Sequence, residues 1–126
     1  MENQQLNQYL SQNRKTETFS DMLLRLIRDS GMKDSEVYKK ALIDRRHYSK
    51  IISNKNYKPT LSTVVAFVLA LKLGSKESKV LIKSAGYILS SRSEFALIIR
   101  YCIDNKIYDL NEVNLLLYEK GLPLLL

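Results

Sequence analysis

Cysteine, histidine, proline and tryptophan are scarce or missing in this chain. Its 126 residues include one cysteine, one histidine, two prolines and no tryptophan. Because there is only one cysteine, no disulfide can form within the chain. Cys102 lies in the apolar run FALIIRYCI and is predicted to be a small buried side chain. His47 follows Asp44 by about one helical turn, which could suggest an acid–base pair, but a lone histidine is more simply a surface or capping residue.

The positions of the four glycines also exclude a glycine-rich phosphate-binding site. They stand at positions 31, 74, 86 and 121, near predicted helix ends, and none belongs to a phosphate-binding glycine-rich loop. The eight tyrosines are scattered rather than spaced as a platform for stacking bases. We therefore expect no enzyme activity, no cofactor and no metal.

Long hydrophobic runs are absent as well. The first residues, MENQQLNQYLSQN, have no basic start followed by an apolar run, and no stretch approaches the roughly 18 apolar residues of a membrane span. These absences predict a cytoplasmic protein with no membrane contact. Residues 1–15 are polar and rich in Gln and Asn, so we interpret them as a mobile arm, although Leu6, Tyr9 and Leu10 could make one amphipathic turn.

Positive charge exceeds negative charge, and the excess is concentrated in one part of the chain. The formal net charge is +7 at pH 7. Residues 33–60 hold eight cations and three anions, whereas residues 1–32 are balanced and residues 61–126 carry a net +2. A basic cluster attracts nucleic acid or an acidic partner, although solvated lysines are also common. The middle of the chain is therefore where we look for a functional surface.

Apolar residues recur at helical spacing, and strand signals are almost absent. Seven short helices are predicted, the fourth of which is apolar nearly all round and should be central and buried. The fifth helix is expected to bury Val80, Leu81, Ala85, Ile88 and Leu89. The predicted helix starts or N-caps are Thr18, Asp34, Asp44, Thr60, Ser75, Ser91 and Asp109.

The second and third helices, with a tight turn between them, have the spacing of a helix-turn-helix. In the stretch ALIDRRHYSKIISNKNYKPT, residues 41–60, one stripe of the third helix is apolar and the opposite face is basic. The apolar stripe consists of Tyr48, Ile51 and Ile52. Arginine in the first turn suits guanine, whose O6 and N7 accept two parallel N–H groups. The predicted base-reading residues on helix 45–53 are Arg45, Arg46, Ser49 and Lys50, and the predicted phosphate contacts are Lys39, Lys40, Lys55 and Lys58.

Residues 19–73, and above all DSEVYKKALIDRRHYSKIISNKNYKPTLSTVVAFVLALKLG, resemble the Cro/repressor (Xre-type, lambda-repressor-like) helix-turn-helix family. The shared features are an apolar scaffold helix, a recognition helix ending in Ser with Ile, a basic loop with proline, and an apolar helix ending in ALxLG. The resemblance covers a little under half of the chain and implies DNA binding. It assigns base reading to Arg45, Arg46 and Lys50, and backbone contacts to the loop residues Asn54, Lys55, Asn56 and Lys58.

The chain departs from the family pattern at three positions. Tyr38 stands where alanine is usual, which changes the fit between the scaffold and recognition helices. Leu42 stands where the turn usually has glycine, and leucine with positive φ costs about 1 kcal/mol or more, so a differently shaped turn is expected. Asp34 stands at the start of the scaffold helix, which in the family often approaches a DNA phosphate. A negative charge at this position repels DNA unless Arg45 neutralises it.

The predicted architecture is an all-α bundle in one globular unit. A helix-turn-helix core spans residues 16–90, and a C-terminal helical hairpin over residues 91–126 packs on it. Apolar residues remain outside the hairpin's inward stripe, and the chain ends in GLPLLL. They predict an oligomer or partner surface at Leu115, Tyr118, Leu122, Leu124, Leu125 and Leu126. The alternative left open is that residues 122–126 fold back into a groove of the same chain.

Two functions fit these patterns. The first is a sequence-specific regulator that binds double-stranded DNA as a dimer, because one recognition helix covers only a half-site. The alternative is a non-enzymatic helical adaptor that uses its basic face or its apolar C-terminus to bind another protein. A DNA regulator should show steep salt dependence, whereas an adaptor should retain DNA weakly and non-specifically.

Overall fold

The computed structural model describes residues 3–13 and 17–125 and shows an all-α protein. This confirms the predicted fold class. Those residues form eight helices and no strand, one helix more than predicted. The helices are α1 (Gln4–Asn13), α2 (Phe19–Ser30), α3 (Asp34–Lys40), α4 (Arg45–Ser53), α5 (Leu61–Ala70), α6 (Ser75–Ser84), α7 (Glu94–Asp104) and α8 (Leu110–Glu119).

The additional helix, α1, lies in the segment predicted to be a mobile arm. Its stripe of Leu6, Tyr9 and Leu10 matches the amphipathic turn expected there, but the helical segment extends over ten residues. None of its residues is buried. The remainder of the predicted arm, residues 1–2 and 14–15, lies outside the described residues.

Helix starts follow the predicted capping chemistry in most places. The side-chain oxygens of Thr18, Asp44, Thr60 and Asp109 each accept a backbone N–H from the first turn of the helix that follows. Each cap satisfies one of the donors that a helix start leaves without an intrahelical partner.

Two predicted caps are wrong. Lys33, not Asp34, precedes α3, because the Asp34 carboxylate accepts a hydrogen bond from the Tyr48 hydroxyl instead of capping its own helix. Ser93, not Ser91, caps α7 by accepting the Ala96 N–H at 3.2 Å.

The shift at α7 has a local cause. The Ser90 carbonyl accepts the N–H of Ser93 at 3.1 Å, and its hydroxyl accepts the N–H of Arg92 at 3.1 Å. This turn occupies the residues that the predicted helix would have begun with, and it delays the helix start.

Within the part of the chain that the structure describes, five helices end in the same backbone motif. A residue with positive φ follows the helix, and the N–H of the next residue donates to the carbonyl five positions earlier, as in the Schellman motif. The positive-φ residues are Leu42, Lys72, Gly86, Lys106 and Gly121. The residues that follow them are apolar and buried or half-buried, namely Ile43, Leu73, Tyr87, Ile107 and Leu122.

The core is built around α5, as predicted from its apolar composition. Every residue of α5 from Thr63 to Ala70 is buried. Helices α3, α6 and α8 pack on it, while α2 packs on α4 and α6 and the hairpin of α7 and α8 closes one side. One continuous cluster of buried side chains therefore joins helices α2–α6 to the hairpin of α7 and α8.

The burial predicted for the fifth predicted helix, which corresponds to α6, is partly wrong. Leu81 is fully buried and Ala85 and Leu89 are half-buried, but Val80 and Ile88 are exposed by 49% and 75%. The reason is that α6 ends at Ser84 and turns at Gly86, so Ile88 no longer follows the helical period. Val80 lies on the outer side of the same helix.

Two further properties concern the described part of the chain. None of its helices is long and apolar enough to cross a membrane. Nowhere in residues 3–13 and 17–125 do three or more His, Cys, Asp or Glu side chains come together in a way that could hold a metal ion.

Replacing Lys106 by glycine should stabilise the fold by about 0.5 to 1 kcal/mol, because glycine adopts a positive φ without the clash that a Cβ atom causes. The backbone of Lys106 has φ 56° and its side chain is exposed. Urea unfolding measures the change. Lys120→Gly is the matched control: Lys120 has φ −96°, so glycine should destabilise there. Equal effects at both positions would contradict this account.

Candidate nucleic-acid interface

Helices α3 and α4, predicted to form a helix-turn-helix, are joined by a short turn of residues 41–44. Leu42, in the turn, has φ 56°, the left-handed conformation that glycine ordinarily supplies. Its N–H donates to the Lys39 carbonyl at 3.0 Å, and the Ile43 N–H donates to the Tyr38 carbonyl at 2.9 Å. Leu42 therefore adopts the left-handed conformation despite its side chain, and the expectation that the turn has a different shape stays a prediction. The Leu42 side chain is 56% exposed, so its size causes no crowding.

The buried stripe of α4 determines which way its basic face points. Tyr48 and Ile51 are 3% and 1% exposed, and Ile52 is half-buried, as predicted. The Tyr48 ring lies 5.0 Å from the Tyr38 ring and 6.3 Å from the Phe67 ring, measured between centroids. The half-buried Tyr38 ring therefore packs against Tyr48 between α3 and α4.

A hydrogen bond ties the start of α3 to α4. The Tyr48 hydroxyl donates to Asp34 Oδ2 at 2.9 Å. Burial, with a further contribution from this hydrogen bond, raises the pKa of Tyr48 well above its ordinary value. Arg45 and Asp34 line one open cleft at the surface. The hydrogen bond to the Asp34 carboxylate, however, comes from Tyr48 and not from Arg45.

The loop after α4 is held by contacts that the sequence analysis did not predict. His47 Nε2 and the Tyr57 hydroxyl are 3.2 Å apart, and the two rings meet edge to face. The Tyr87 hydroxyl donates to the Pro59 carbonyl at 2.8 Å. His47 therefore helps to position the loop, while its backbone N–H donates to the Asp44 cap at 2.7 Å. Only a contact between distant parts of the chain reveals these roles.

The predicted base-reading residues lie together on the exposed face of α4. Arg45, Arg46, Ser49 and Lys50 are all exposed. Among the residues that the structure describes, none of the three cations forms an ion pair. Arg25 on α2 differs, since it pairs with Glu17 at 2.9 Å and with Asp29 at 3.8 Å.

The predicted phosphate contacts divide into two groups. The loop residues Asn54, Lys55, Asn56 and Lys58 are exposed beside α4, although Lys55 lies 3.9 Å from Asp21. Lys39 and Lys40 instead line a groove of about 540 Å³ with the α7–α8 connection. Lys33, which the sequence analysis did not select, lines the same cleft as Arg45 and Ser49. The position of Lys33 just before α3 is the sequence signal that could have identified it as a candidate phosphate contact.

The predicted partner surface at the C-terminus is only partly exposed. Leu115, Tyr118 and Leu124 are exposed by 57%, 73% and 47%. Leu122 is half-buried against the core, and Leu126 lies outside the described residues.

Leu125 does not belong to that surface. It is 1% exposed, because the Asn114 amide accepts its N–H at 2.7 Å and donates to its carbonyl at 2.6 Å. At Leu125 the chain therefore folds back into its own core, as the alternative interpretation of the tail expected.

Comparisons with known proteins do not assign the chain to a family. No protein-family model matches the chain, and no curated protein or solved structure matches it. The resemblance to the Cro/repressor family therefore stays a prediction that depends on the residues themselves.

Tyr48→Phe should destabilise the protein by about 1 kcal/mol at neutral pH through loss of the hydrogen bond to Asp34. Because folding raises the pKa of Tyr48, this stability is fully present below the unfolded value near pH 10 and is lost as pH rises above it. The difference in the free energy of unfolding between the wild type and Tyr48→Phe should therefore become smaller above about pH 10. Urea unfolding at several pH values measures it, and a difference that does not change with pH would contradict the assignment.

Leu125→Ala should cost about 3 kcal/mol, because it removes a fully buried side chain from the core. Leu124→Ala is the control, since the neighbouring side chain is half exposed and should change stability by no more than about 0.5 kcal/mol. Thermal or urea unfolding compares the two, and similar losses would show that the tail is not held as described.

Proposed function

We propose that the protein is a sequence-specific regulator that binds double-stranded DNA through α4. The observation that carries the proposal is the exposed face of this helix. Arg45, Arg46, Ser49 and Lys50 point away from a stripe that is held by Tyr48 and Ile51. Such a face, on the second helix of a helix-turn-helix, is suited to the major groove.

The geometry supports distinct roles for these side chains. Arginines in the first turn of α4 can donate two parallel N–H groups to guanine O6 and N7. They need not first break an ion pair, because none forms within the described residues. Ser49 and Lys50, one turn further along, would contact neighbouring bases or phosphates.

Phosphate contacts would come from either side of α4. The loop residues Asn54, Lys55, Asn56 and Lys58 lie on one side, held by the His47–Tyr57 and Tyr87–Pro59 contacts. Lys33, before α3, lies in the cleft on the other side. Such contacts position a protein on DNA, whereas the base contacts specify the sequence. The Asp34 carboxylate is a local unfavourable charge for DNA, and its hydrogen bond to Tyr48 stabilises it without removing that charge.

The second candidate function is that of an adaptor protein. The observation that favours it is the set of exposed apolar residues on α8 and the tail, Leu115, Tyr118 and Leu124. Selection from random duplex DNA by the purified protein separates the candidates. Recovery of a palindromic sequence would support the regulator, and recovery of no sequence would favour the adaptor.

Arg46→Ala should weaken binding to the selected site by about 1 to 3 kcal/mol and relax the preference at one base pair. Lys58→Ala should weaken binding to all sequences alike and lower the slope of log affinity against log salt by about 1. Fluorescence anisotropy with selected and random duplexes over a salt series measures both effects.

Lys120→Ala provides the charge-matched control. Lys120 is exposed at the end of α8, whose main packing contacts are with α5 and α7. Its variant should bind both duplexes nearly as the wild type does. Equal losses on selected and random DNA for Arg46→Ala would argue against base reading by this side chain.

A further inference from the structure

Helices α6 and α7 and the connection between them border a groove that the proposed DNA contacts do not use. We call it the α6–α7 groove. Its volume is about 550 Å³, within the range of small-molecule sites. Eleven residues line it, whereas a specific protein interface usually takes about 20 to 30 residues on each side. The size of the groove therefore suits a small molecule better than a protein.

The floor of the α6–α7 groove is apolar. Ile82 on α6 and Ile103 on α7 line it and are only 1% and 5% exposed. Leu89, in the connection, lines it as well and is half-buried. An apolar group that lies on these side chains would be removed from water, which favours its binding.

Two hydroxyl groups in the lining already have partners within the chain. The hydroxyl of the buried Ser78 donates to the Leu73 carbonyl at 3.3 Å, and the Tyr87 hydroxyl donates to the Pro59 carbonyl at 2.8 Å. An apolar ligand that covers Ser78 and Tyr87 therefore leaves neither hydroxyl without a hydrogen bond.

Three cations line the same groove. Lys79 and Lys83 are one turn apart on α6, and Arg100 is on α7. All three are exposed, and none forms an ion pair within the described part of the chain. Like charges one helical turn apart repel each other, so an anion beside the two lysines would be stabilising. A guanidinium can also bind a carboxylate through two parallel N–H groups.

Asp104 on α7 is the one anion among the residues that line the groove, so the lining carries a net charge of +2. Its carboxylate follows Arg100 by one helical turn, yet the two do not pair. Glu77, the one acid of α6, does not line the groove. Because Asp104 repels negative charge, the lining favours a ligand with a single anionic group over a multiply charged one.

We propose that the α6–α7 groove binds a small amphiphilic carboxylate. The apolar chain of the ligand lies on Ile82, Leu89 and Ile103, and its carboxylate is bound by Arg100 and the two lysines of α6. The proposal does not depend on DNA binding.

The first test is calorimetric titration of the full chain, without DNA, with decanoate as the probe. Saturable binding of one decanoate per chain is expected, with a Kd of about 0.1 to 1 mM. Decyltrimethylammonium has the same apolar chain and the opposite charge, and should bind at least about tenfold more weakly because the lining is cationic.

The charged groups of the groove should change decanoate affinity in opposite directions. Arg100→Gln should weaken binding by about three- to tenfold, and Asp104→Asn should strengthen it by about two- to fivefold. Lys120→Gln is the control, because Lys120 is exposed on α8 and does not line the groove. The side chains of Arg100 and Asp104 are exposed, and circular dichroism should show folded variants.

The location of the ligand can be tested by fluorescence, because the chain has no tryptophan. Ile88 lines the groove and is 75% exposed, so Ile88→Trp places a reporter there without crowding the core. Decanoate should shift the emission of this variant to shorter wavelength. Tyr118→Trp, at a side chain 73% exposed on α8, is the matched control and should show no shift.

Four results would overturn the proposal: no saturable binding of decanoate, equal binding of the two probes, unchanged affinity in Arg100→Gln, or an emission shift that is absent from Ile88→Trp or present in Tyr118→Trp. The proposed function fails in a different way, through the absence of duplex binding, so the two failures are distinguishable.

Discussion

The buried ring of Tyr48 is the contact on which the geometry of the candidate interface depends. It packs against Tyr38 on α3 and Phe67 on α5, and its hydroxyl reaches Asp34 at the start of α3. One side chain thereby joins α4 to α3 and to the central helix α5. Its burial also explains why the cations of α4 face solvent, since a helix that buries one stripe must expose the opposite one.

Much of the fold could be predicted because helical periodicity and capping residues are local signals. The apolar stripe of α4, the central position of α5 and four of the N-caps follow from residues within one or two turns. The predictions at Asp34 and Ser91 were wrong because each depends on a competing hydrogen bond. Asp34 bonds Tyr48, fourteen residues away, and the turn at Ser90 displaces the start of α7.

The candidate site was predictable to a similar extent. Arg45, Arg46, Ser49 and Lys50 share a face because their spacing on one helix ensures it. By contrast, the loop is held by contacts with other elements, Tyr57 with His47 on α4 and Pro59 with Tyr87. Likewise, Lys39 and Lys40 line a groove whose far side belongs to the C-terminal hairpin. Spacing along the chain cannot show which distant segment will lie opposite a side chain. Leu125 illustrates the same limit, because its burial requires an amide on α8.

The repeated helix ending has a consequence for how the chain reaches this structure. At each of the five ends, the hydrogen bond that closes the helix spans only six residues, and the next apolar side chain turns toward the core. We therefore expect helix lengths to be set within single segments, before distant segments meet. Proteins dominated by such local contacts fold quickly, because little loop-closure entropy is lost before stabilising contacts form. Helix α4 would therefore reach its full length early and become oriented only when Tyr48 is buried.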